Sequence, residues 1–298
     1  SLTYPPLLNA RGGIEADVTV ARVAQDEFYI VTGTGFATHD LDWIRRNLPE
    51  QANCQLVDVT SGTSVLSLMG PQARQILGRV CSDDLTNAGF AFGTARRISV
   101  ANCPVLALRV TYVGELGWEL HLPTDVAVTV YEALMAAGGD LGLANAGYRA
   151  IETLRLEKGY RAWGADIGPD HTPVEAGLAW TCKMKSGIAF LGREAISAQL
   201  ATGVKKRLAG FSVDDPAVIL LGRETIYRNG ERVGWLSSGG FGHSVDKPLG
   251  YGFVRHPDGV TEAYMTAGSY ELEVASERVP AKLHMVPLYD PTNARIKA

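Results

Sequence analysis

Residues 224–237 read ETIYRNGERVGWLS and contain two short β-prone runs joined by Asn229 and Gly230. An Asn-Gly pair between such runs is a strong signal for a two-residue hairpin, because a type I′ turn needs positive φ at both central residues. Four more β-rich runs, separated by Gly, Pro, Asp and Asn, cover 208–213, 248–254, 270–274 and 279–285. Strands at this spacing indicate either a small barrel or a sandwich in the C-terminal part of the chain.

The chain before residue 197 has a different character, because strand-like and helix-like periodicities succeed one another along it. Pro71 is well placed at the start of a helix, where its missing N–H is no loss, and Gly159 is expected to end one. The patterns predict strands at 14–20, 28–31, 55–59, 64–69, 95–101, 105–112 and 118–122, and helices at 40–48, 71–77, 126–137 and 148–158. The change to short β-rich runs places a domain boundary between 197 and 206.

The composition of the 298 residues argues against several classes of protein. The formal net charge is -4, 46% of the residues are hydrophobic and 20% are charged, as in an ordinary globular protein. No concentration of Lys and Arg indicates a nucleic acid or an anionic membrane as partner. No apolar run approaches the roughly 18 residues of a membrane-spanning helix. We therefore expect a cytoplasmic protein, or a mitochondrial matrix protein if the source is eukaryotic.

The cysteines and histidines are too scattered to indicate a disulfide framework or a metal site. Cys54, Cys81, Cys103 and Cys182 form no CxxC pair, and the six histidines never fall at metal-ligand spacing. The apolar surroundings of Cys103 and Cys182 predict free, partly buried thiols in a reducing compartment.

Five short motifs carry a resemblance to a known family. The chain contains, in this order, LNARGGIEAD (8–17), YVGELGWE (112–119), LRLEKG (154–159), WGADI (163–167) and TPVEAGL (172–178). Together they closely resemble the glycine-cleavage T-protein (aminomethyltransferase) family. The wording RLEKGYRAWG at 155–164 is most similar to the folate-binding half of dimethylglycine and sarcosine dehydrogenases.

The resemblance implies an α+β chain, in which mixed α/β folate-binding domains precede an antiparallel barrel. Relatives have several tens of residues before the LNARGGIEAD segment, so we expect the first domain to be incomplete at its N-terminus. The chain is then expected to be a fragment, a cleaved form or only the ordered part of a longer chain. The expected domains are 1–60, the remainder of a first α+β domain with shared strands; 61–200, a second, ferredoxin-like α+β domain; and 206–298, the barrel.

The implied cofactor is tetrahydrofolate. No GxGxxG dinucleotide motif occurs in the sequence, so FAD is expected only in an upstream domain that this chain does not contain. The expected partners are an N-methylated glycine derivative as small-molecule substrate and the missing N-terminal or flavin domain.

Asp17 is the catalytic residue that the resemblance implies. By its pattern alone, a carboxylate at this point of an alternating strand is expected on the solvent face of an edge strand. The family motif instead implies a position near the reactive N5 and N10 nitrogens of tetrahydrofolate. There Asp17 would stabilise positive charge on a methylene-iminium and help to position or deprotonate the attacking amine.

Glu119 and Tyr112 are the residues expected to hold the pterin. A carboxylate can accept two parallel hydrogen bonds from the N–H and amino groups of an aminopyrimidinone edge. Two glycines between Tyr112 and Glu119 supply the turn that would aim this carboxylate inward. The alternative is a surface hairpin with a solvated glutamate. Glu115, in the same motif, is expected to be structural or exposed.

Trp163 and Glu175 are further candidates for folate binding, each with a structural alternative. Trp163 either packs along the pterin or aminobenzoyl ring or belongs to the core. Glu175 either contacts the ligand or caps the following segment. Arg155 and Glu157 are expected to be structural, because such helix residues more often pair with neighbours.

Two departures from the T-protein pattern favour the dehydrogenase branch. Ile151 stands where an arginine binds the glutamyl tail, and Ala294 stands where a C-terminal tyrosine is usual. We therefore expect the chain to capture a methylene group as 5,10-methylenetetrahydrofolate after an upstream flavin site oxidises dimethylglycine or sarcosine. The alternatives are a free-standing aminomethyltransferase and a non-catalytic folate-binding module. We expect Asp17, Tyr112, Glu119 and Trp163 to converge on one pocket between domains.

Overall fold

The computed structural model describes all 298 residues. The strands are β1 (Leu2–Thr3), β2 (Pro6–Leu8), β3 (Ile14–Asp17), β4 (Thr19–Arg22), β5 (Phe28–Val31), β6 (Thr63–Met69), β7 (Ala95–Val100), β8 (Cys103–Leu108), β9 (Gly117–Pro123), β10 (Lys206–Ser212), β11 (Thr225–Arg228), β12 (Glu231–Gly242), β13 (Lys247–Arg255), β14 (Tyr270–Val274) and β15 (Glu277–His284). The α-helices are α1 (Ala37–Asn47), α2 (Ala73–Gly78), α3 (Ala127–Gly138), α4 (Tyr148–Glu157), α5 (Arg193–Thr202) and α6 (Glu262–Thr266).

These elements form two compact units. The first unit comprises Ser1–Tyr4, Thr19–Tyr148 and Thr292–Ala298. The second unit comprises Pro5–Val18 and Arg149–Pro291. The finer division into three domains, with boundaries near 60 and 200, stays a prediction.

The first unit is built around an antiparallel sheet of order β6-β9-β8-β7. Because side chains alternate along a strand, this sheet has two apolar faces. One face packs its Trp118 and Leu120 against α2 and α3 in the largest core of this unit. On the other face Leu108 packs against Tyr29 of the separate β1-β4-β5 sheet. The sheet that carries the Tyr112–Glu119 motif is therefore covered on both sides.

The second unit contains a closed antiparallel barrel of order β10-β13-β12-β11-β14-β15. Its interior is filled by apolar side chains such as Phe211, Ile226 and Leu272, each no more than 1% exposed. At the β11–β12 turn Asn229 has a φ of 51° and Gly230 a φ of 84°, as a type I′ hairpin requires. The C-terminal β-rich part is thus a barrel and not a sandwich.

Most predicted elements are present, and two differ in an informative way. The strand predicted at 55–59 is wrong: residues 53–59 have no regular secondary structure and are mostly exposed, because no neighbouring strand pairs with them. The strand predicted at 14–20 is divided at Val18. Its first half, β3, pairs with β2, whereas its second half, β4, pairs with β1 and β5.

Cys103 and Cys182 are free and partly buried, as predicted. None of the helices combines the length and the apolar character that crossing a membrane demands.

Candidate functional site

The loop before β9 is organised by one hydroxyl group. Thr111 Oγ1 accepts hydrogen bonds from the backbone N–H groups of residues 113, 114 and 115 at 3.1–3.3 Å. Gly117 must be glycine, because a Cβ there would lie 2.3 Å from the carbonyl oxygen of Leu68. The turn between Tyr112 and Glu119 is therefore fixed by local hydrogen bonds and by close approach to β6. Glu115, at this turn, lies 3.7 Å from Arg295 in an ion pair.

The Glu119 carboxylate has a single protein partner, His121. Its side chain is 23% exposed, and its Oε2 lies 3.4 Å from His121 Nε2. No protein group in the described chain donates a hydrogen bond to Oε1. A part-buried carboxylate oxygen without a donor retains acceptor capacity for a ligand.

His121 lies two residues after Glu119, on the same face of β9. Its side chain is only 2% exposed. His121 Nδ1 lies 3.1 Å from the Tyr29 hydroxyl, and the two rings meet edge to face at 5.3 Å. Burial raises the pKa of Tyr29 and the charge of Glu119 acts in the same direction, although a hydrogen bond from Thr63 opposes them. The hydroxyl therefore remains a donor at neutral pH.

Neither His121 nor Tyr29 was a predicted site residue. The period of two along β9 could have indicated that His121 shares the face of Glu119. Nothing local could have indicated Tyr29, which is 92 residues away in sequence.

In the second unit, Asn9 organises the loop between β2 and β3. Its Oδ1 accepts hydrogen bonds from the backbone N–H groups of Arg11 at 3.0 Å and Gly13 at 2.9 Å. Its Nδ2 donates to Glu15 Oε1 at 2.8 Å and to the carbonyl oxygen of Pro169 at 3.2 Å. The Asn-x-x-Gly-Gly part of the motif therefore has a structural explanation.

Asp17 is the last residue of β3, which this loop precedes, and it pairs in register with Pro6 of β2. Its side chain is exposed, while the neighbouring Ala16 and Val18 are buried. Exposure at a strand end does not distinguish a solvated carboxylate from one that meets a ligand, so the catalytic role of Asp17 stays a prediction.

Trp163 contributes to an apolar cluster of the second unit that includes Ile14 and Ile167. Its Nε1 donates a hydrogen bond to the backbone oxygen of Ile14 at 2.9 Å. The indole is thereby held against β3, three residues before Asp17. These contacts are those of a partly buried tryptophan packed against the core, and ring contact with folate stays a prediction.

Glu175 makes the contacts of a capping residue. Its Oε2 accepts a hydrogen bond from the backbone N–H of Thr172 at 2.9 Å, and its own N–H donates to Thr172 Oγ1 at 3.3 Å. This reciprocal pair is a capping box. Lys206 Nζ lies 3.5 Å from the same carboxylate oxygen. Folate contact by Glu175 stays a prediction.

The charged residues Arg155 and Glu157 of α4 are buried and paired with other polar groups of the second unit. Arg155 and Asp166 are both 0% exposed and form an ion pair at 2.6 Å. The carboxylate of Glu157 accepts hydrogen bonds from the backbone N–H and the hydroxyl of Ser244 at 2.9 and 2.6 Å. Arg155 and Glu157 are thus structural, as predicted.

The predicted site residues fall in both units. Tyr112 and Glu119 belong to the first unit, and Asp17, Trp163 and Glu175 belong to the second. Their convergence on one pocket stays a prediction.

Comparisons with known proteins cover nearly the whole chain. Residues 1–186 match the model of the GCVT N-terminal domain, and residues 206–290 match that of the glycine cleavage T-protein C-terminal barrel domain. Human mitochondrial sarcosine dehydrogenase is 42% identical over 313 residues, covering 100% of this chain and 34% of that protein. Human mitochondrial dimethylglycine dehydrogenase is 35% identical over 294 residues, covering 98% of this chain and 33% of that protein. The chain thus spans about a third of the length of these curated relatives.

A solved structure extends the similarity to three dimensions. The glycine cleavage system aminomethyltransferase T from Bartonella henselae has a TM-score of 0.83 and 27% sequence identity, covering 98% of this chain and 76% of that chain. Together with the closed barrel, this similarity confirms the predicted fold class.

Proposed function

This chain belongs to the glycine cleavage T-protein family, and from that premise we propose that it is the tetrahydrofolate-dependent one-carbon transfer part of an enzyme that oxidises an N-methylated glycine. The observation that carries the proposal is Glu119, a part-buried carboxylate whose Oε1 has no protein donor. The N–H and amino groups of a pterin edge are a matched pair of donors for such a carboxylate.

The residues present fit tetrahydrofolate, and each has a distinct task. Glu119 would hold the pterin edge, with Tyr112 at the other end of the same loop adding a hydroxyl and ring contact. Asp17 would stabilise positive charge on the incoming methylene-iminium and orient the attacking amine. Tetrahydrofolate supplies the nucleophilic nitrogen, so no covalent protein nucleophile is needed. Positioning and electrostatics would then provide most of the catalysis.

The chemistry of the whole protein is part of the same proposal. The two curated relatives are named as dehydrogenases of sarcosine and dimethylglycine. We place the oxidation of such a substrate in a flavin domain encoded with this chain, and capture of the released methylene in this chain. A mitochondrial location, as those relatives' names state, is proposed for a eukaryotic source. The glycine cleavage aminomethyltransferase of similar structure makes a free-standing aminomethyltransferase the second candidate.

The direct test is tetrahydrofolate titration calorimetry on this chain and its Glu119→Ala variant. Charge-assisted hydrogen bonds contribute about 1.5–3 kcal/mol each, so loss of the carboxylate should weaken binding at least about tenfold. Glu132→Ala removes an exposed glutamate of the same unit and serves as the matched control, expected to bind like the wild type. Unchanged tetrahydrofolate affinity in Glu119→Ala would mean that Glu119 of β9 does not bind the pterin.

A further inference from the structure

Tyr29 and His121, which have no task in the proposed function, form a chain of hydrogen-bonding groups that ends at Glu119. Tyr29 is on β5, and the other two are on β9. The imidazole is bonded on both sides, at 3.1 Å to the tyrosine hydroxyl and at 3.4 Å to the carboxylate. We refer to these three residues as the Tyr29–His121–Glu119 chain.

The direction of the hydrogen bonds follows from the chemistry of the end groups. An ionised carboxylate only accepts hydrogen bonds, so His121 Nε2 must carry the proton that faces Glu119. In a neutral imidazole Nδ1 is then an acceptor, and it receives the hydroxyl proton of Tyr29. Tyr29 thus fixes the tautomer in which His121 can donate to Glu119.

Packing alone does not explain a histidine at this position. Its cross-strand partners are the apolar residues Val65 on β6 and Leu106 on β8. A buried imidazole among apolar neighbours costs desolvation energy that a leucine would avoid. What a histidine adds here is a hydrogen bond that orients the flexible Glu119 side chain. Its three side-chain torsions must be fixed before the carboxylate can accept two parallel donors.

We propose that His121 and Tyr29 are positioning residues that hold Glu119 in the orientation that accepts both donors of a pterin edge, and that they thereby set selectivity for rings bearing a 2-amino group. This inference rests on the proposed function of Glu119. The hydrogen bond from His121 occupies one lone pair of Oε2 and leaves acceptor capacity on both oxygens. A carboxylate free to rotate would still attract a single donor but would lose its preference for the pair.

The test compares tetrahydrofolate with its 2-desamino analogue by titration calorimetry on wild-type chain, His121→Leu, His121→Gln and Tyr29→Phe. Wild type should prefer tetrahydrofolate. In His121→Leu, tetrahydrofolate affinity should fall about tenfold while affinity for the analogue changes little, so that selectivity collapses. His121→Gln restores a side-chain N–H at about the position of Nε2 and should recover most of the selectivity. In Tyr29→Phe, the selectivity for tetrahydrofolate over the analogue should fall about threefold.

The control is Tyr227→Phe, which removes a tyrosine hydroxyl bonded to Glu273 of the barrel; it should leave selectivity unchanged. Wild-type selectivity in a folded His121→Leu would overturn the proposal. If that variant does not fold, wild-type selectivity in Tyr29→Phe, which keeps the ring, would overturn it equally. Unaltered tetrahydrofolate binding by Glu119→Ala would instead contradict the proposed function of Glu119. Failure of the positioning role and failure of the proposed function are therefore distinguishable.

Discussion

Asp166 in the second unit and Glu119 in the first are both carboxylates withdrawn from water, and they differ in how fully the protein satisfies them. Asp166 is 0% exposed. Its Oδ2 accepts from Arg155 at 2.6 Å and from the backbone N–H of Ala162 at 3.1 Å. Its Oδ1 accepts from the hydroxyls of Ser237 and Ser238. Glu119 has one long contact, from His121 at 3.4 Å, and an Oε1 without a donor.

The difference separates a structural carboxylate from a candidate binding group. Asp166 has no acceptor capacity left, so its interactions hold α4, the following loop and the barrel strand β12 together. Glu119 retains its capacity at some cost to the isolated protein, as is typical of a group that completes its hydrogen bonds with a ligand.

The comparison predicts the largest effect for Asp166→Asn. The amide keeps the shape but removes the only fully buried counter-charge of the Arg155 guanidinium, because its other carboxylate partner, Glu152, is 41% exposed. Removing one partner of a buried ion pair costs about 3–5 kcal/mol, and we expect a loss of this size in the free energy of unfolding measured with urea. Glu152→Gln is the matched control, because Glu152 pairs with the same arginine but is 41% exposed. Its cost should be under about 1 kcal/mol, and equal costs for the two variants would contradict the comparison.

The sequence predicted helix ends and turns of the second unit better than the pairing of strands, and the reason is physical. Local signals specify local structure: Gly159, with a φ of 73°, ends α4, and Asn229-Gly230 forms the β11–β12 turn. Alternation does not say which strand will be the partner. The run at 55–59 was therefore wrongly predicted as a strand. The run at 14–20 was predicted as one strand, although it is two strands in different sheets.

The same limit applies to the candidate site. Glu119 could be proposed from the sequence through its motif, because the turn before it is specified by residues close to it in the chain. The contact between Tyr29 and His121 joins strands far apart in sequence, and no local pattern encodes it.

Asp17→Asn should give the next largest effect, and it should affect rate more than binding. The pterin edge would be held elsewhere, so tetrahydrofolate affinity should stay within a few-fold of wild type. In the proposed mechanism the carboxylate would act where charge changes during the reaction, so formation of 5,10-methylenetetrahydrofolate by the proposed full-length enzyme should slow by about a hundredfold. Asp258→Asn, at an exposed aspartate of the second unit, is the control. Wild-type transfer by Asp17→Asn would make that residue structural.

A smaller effect is expected at His171, which is an exception within the well-satisfied second unit. Its buried Nδ1 has no hydrogen-bond partner, and its ring stacks on Phe253 at 4.5 Å. Burial lowers its pKa from 6.5 to about 4, with Lys206 and Arg255 adding to the shift. Between these values the unfolded chain binds a proton that the folded chain does not, so stability falls as the pH is lowered through this window.

The measurement for His171 is urea unfolding at about pH 7 and about pH 5, where the unfolded ring gains its proton. His171→Phe keeps an aromatic ring against Phe253 and removes the titration. Relative to wild type, it should gain about 1 kcal/mol on going to the lower pH, once solvent screening of a partly exposed ring is allowed for. An identical pH dependence in both proteins would show that the unpartnered nitrogen carries no such cost.

The smallest effect is expected for Glu119→Gln, and it tests the comparison most closely because the chemical change matches that in Asp166→Asn. The amide oxygen can still accept the long hydrogen bond from His121, and no buried cation loses a counter-charge. The free energy of unfolding should therefore stay within about 0.5 kcal/mol of wild type. Tetrahydrofolate binding should nevertheless weaken, because the amide presents an N–H₂ group where the pterin edge also presents a donor. Urea unfolding and calorimetry on one protein sample separate the two quantities. A destabilisation as large as that of Asp166→Asn would mean that Glu119 serves the fold, and the distinction between the two carboxylates would no longer hold.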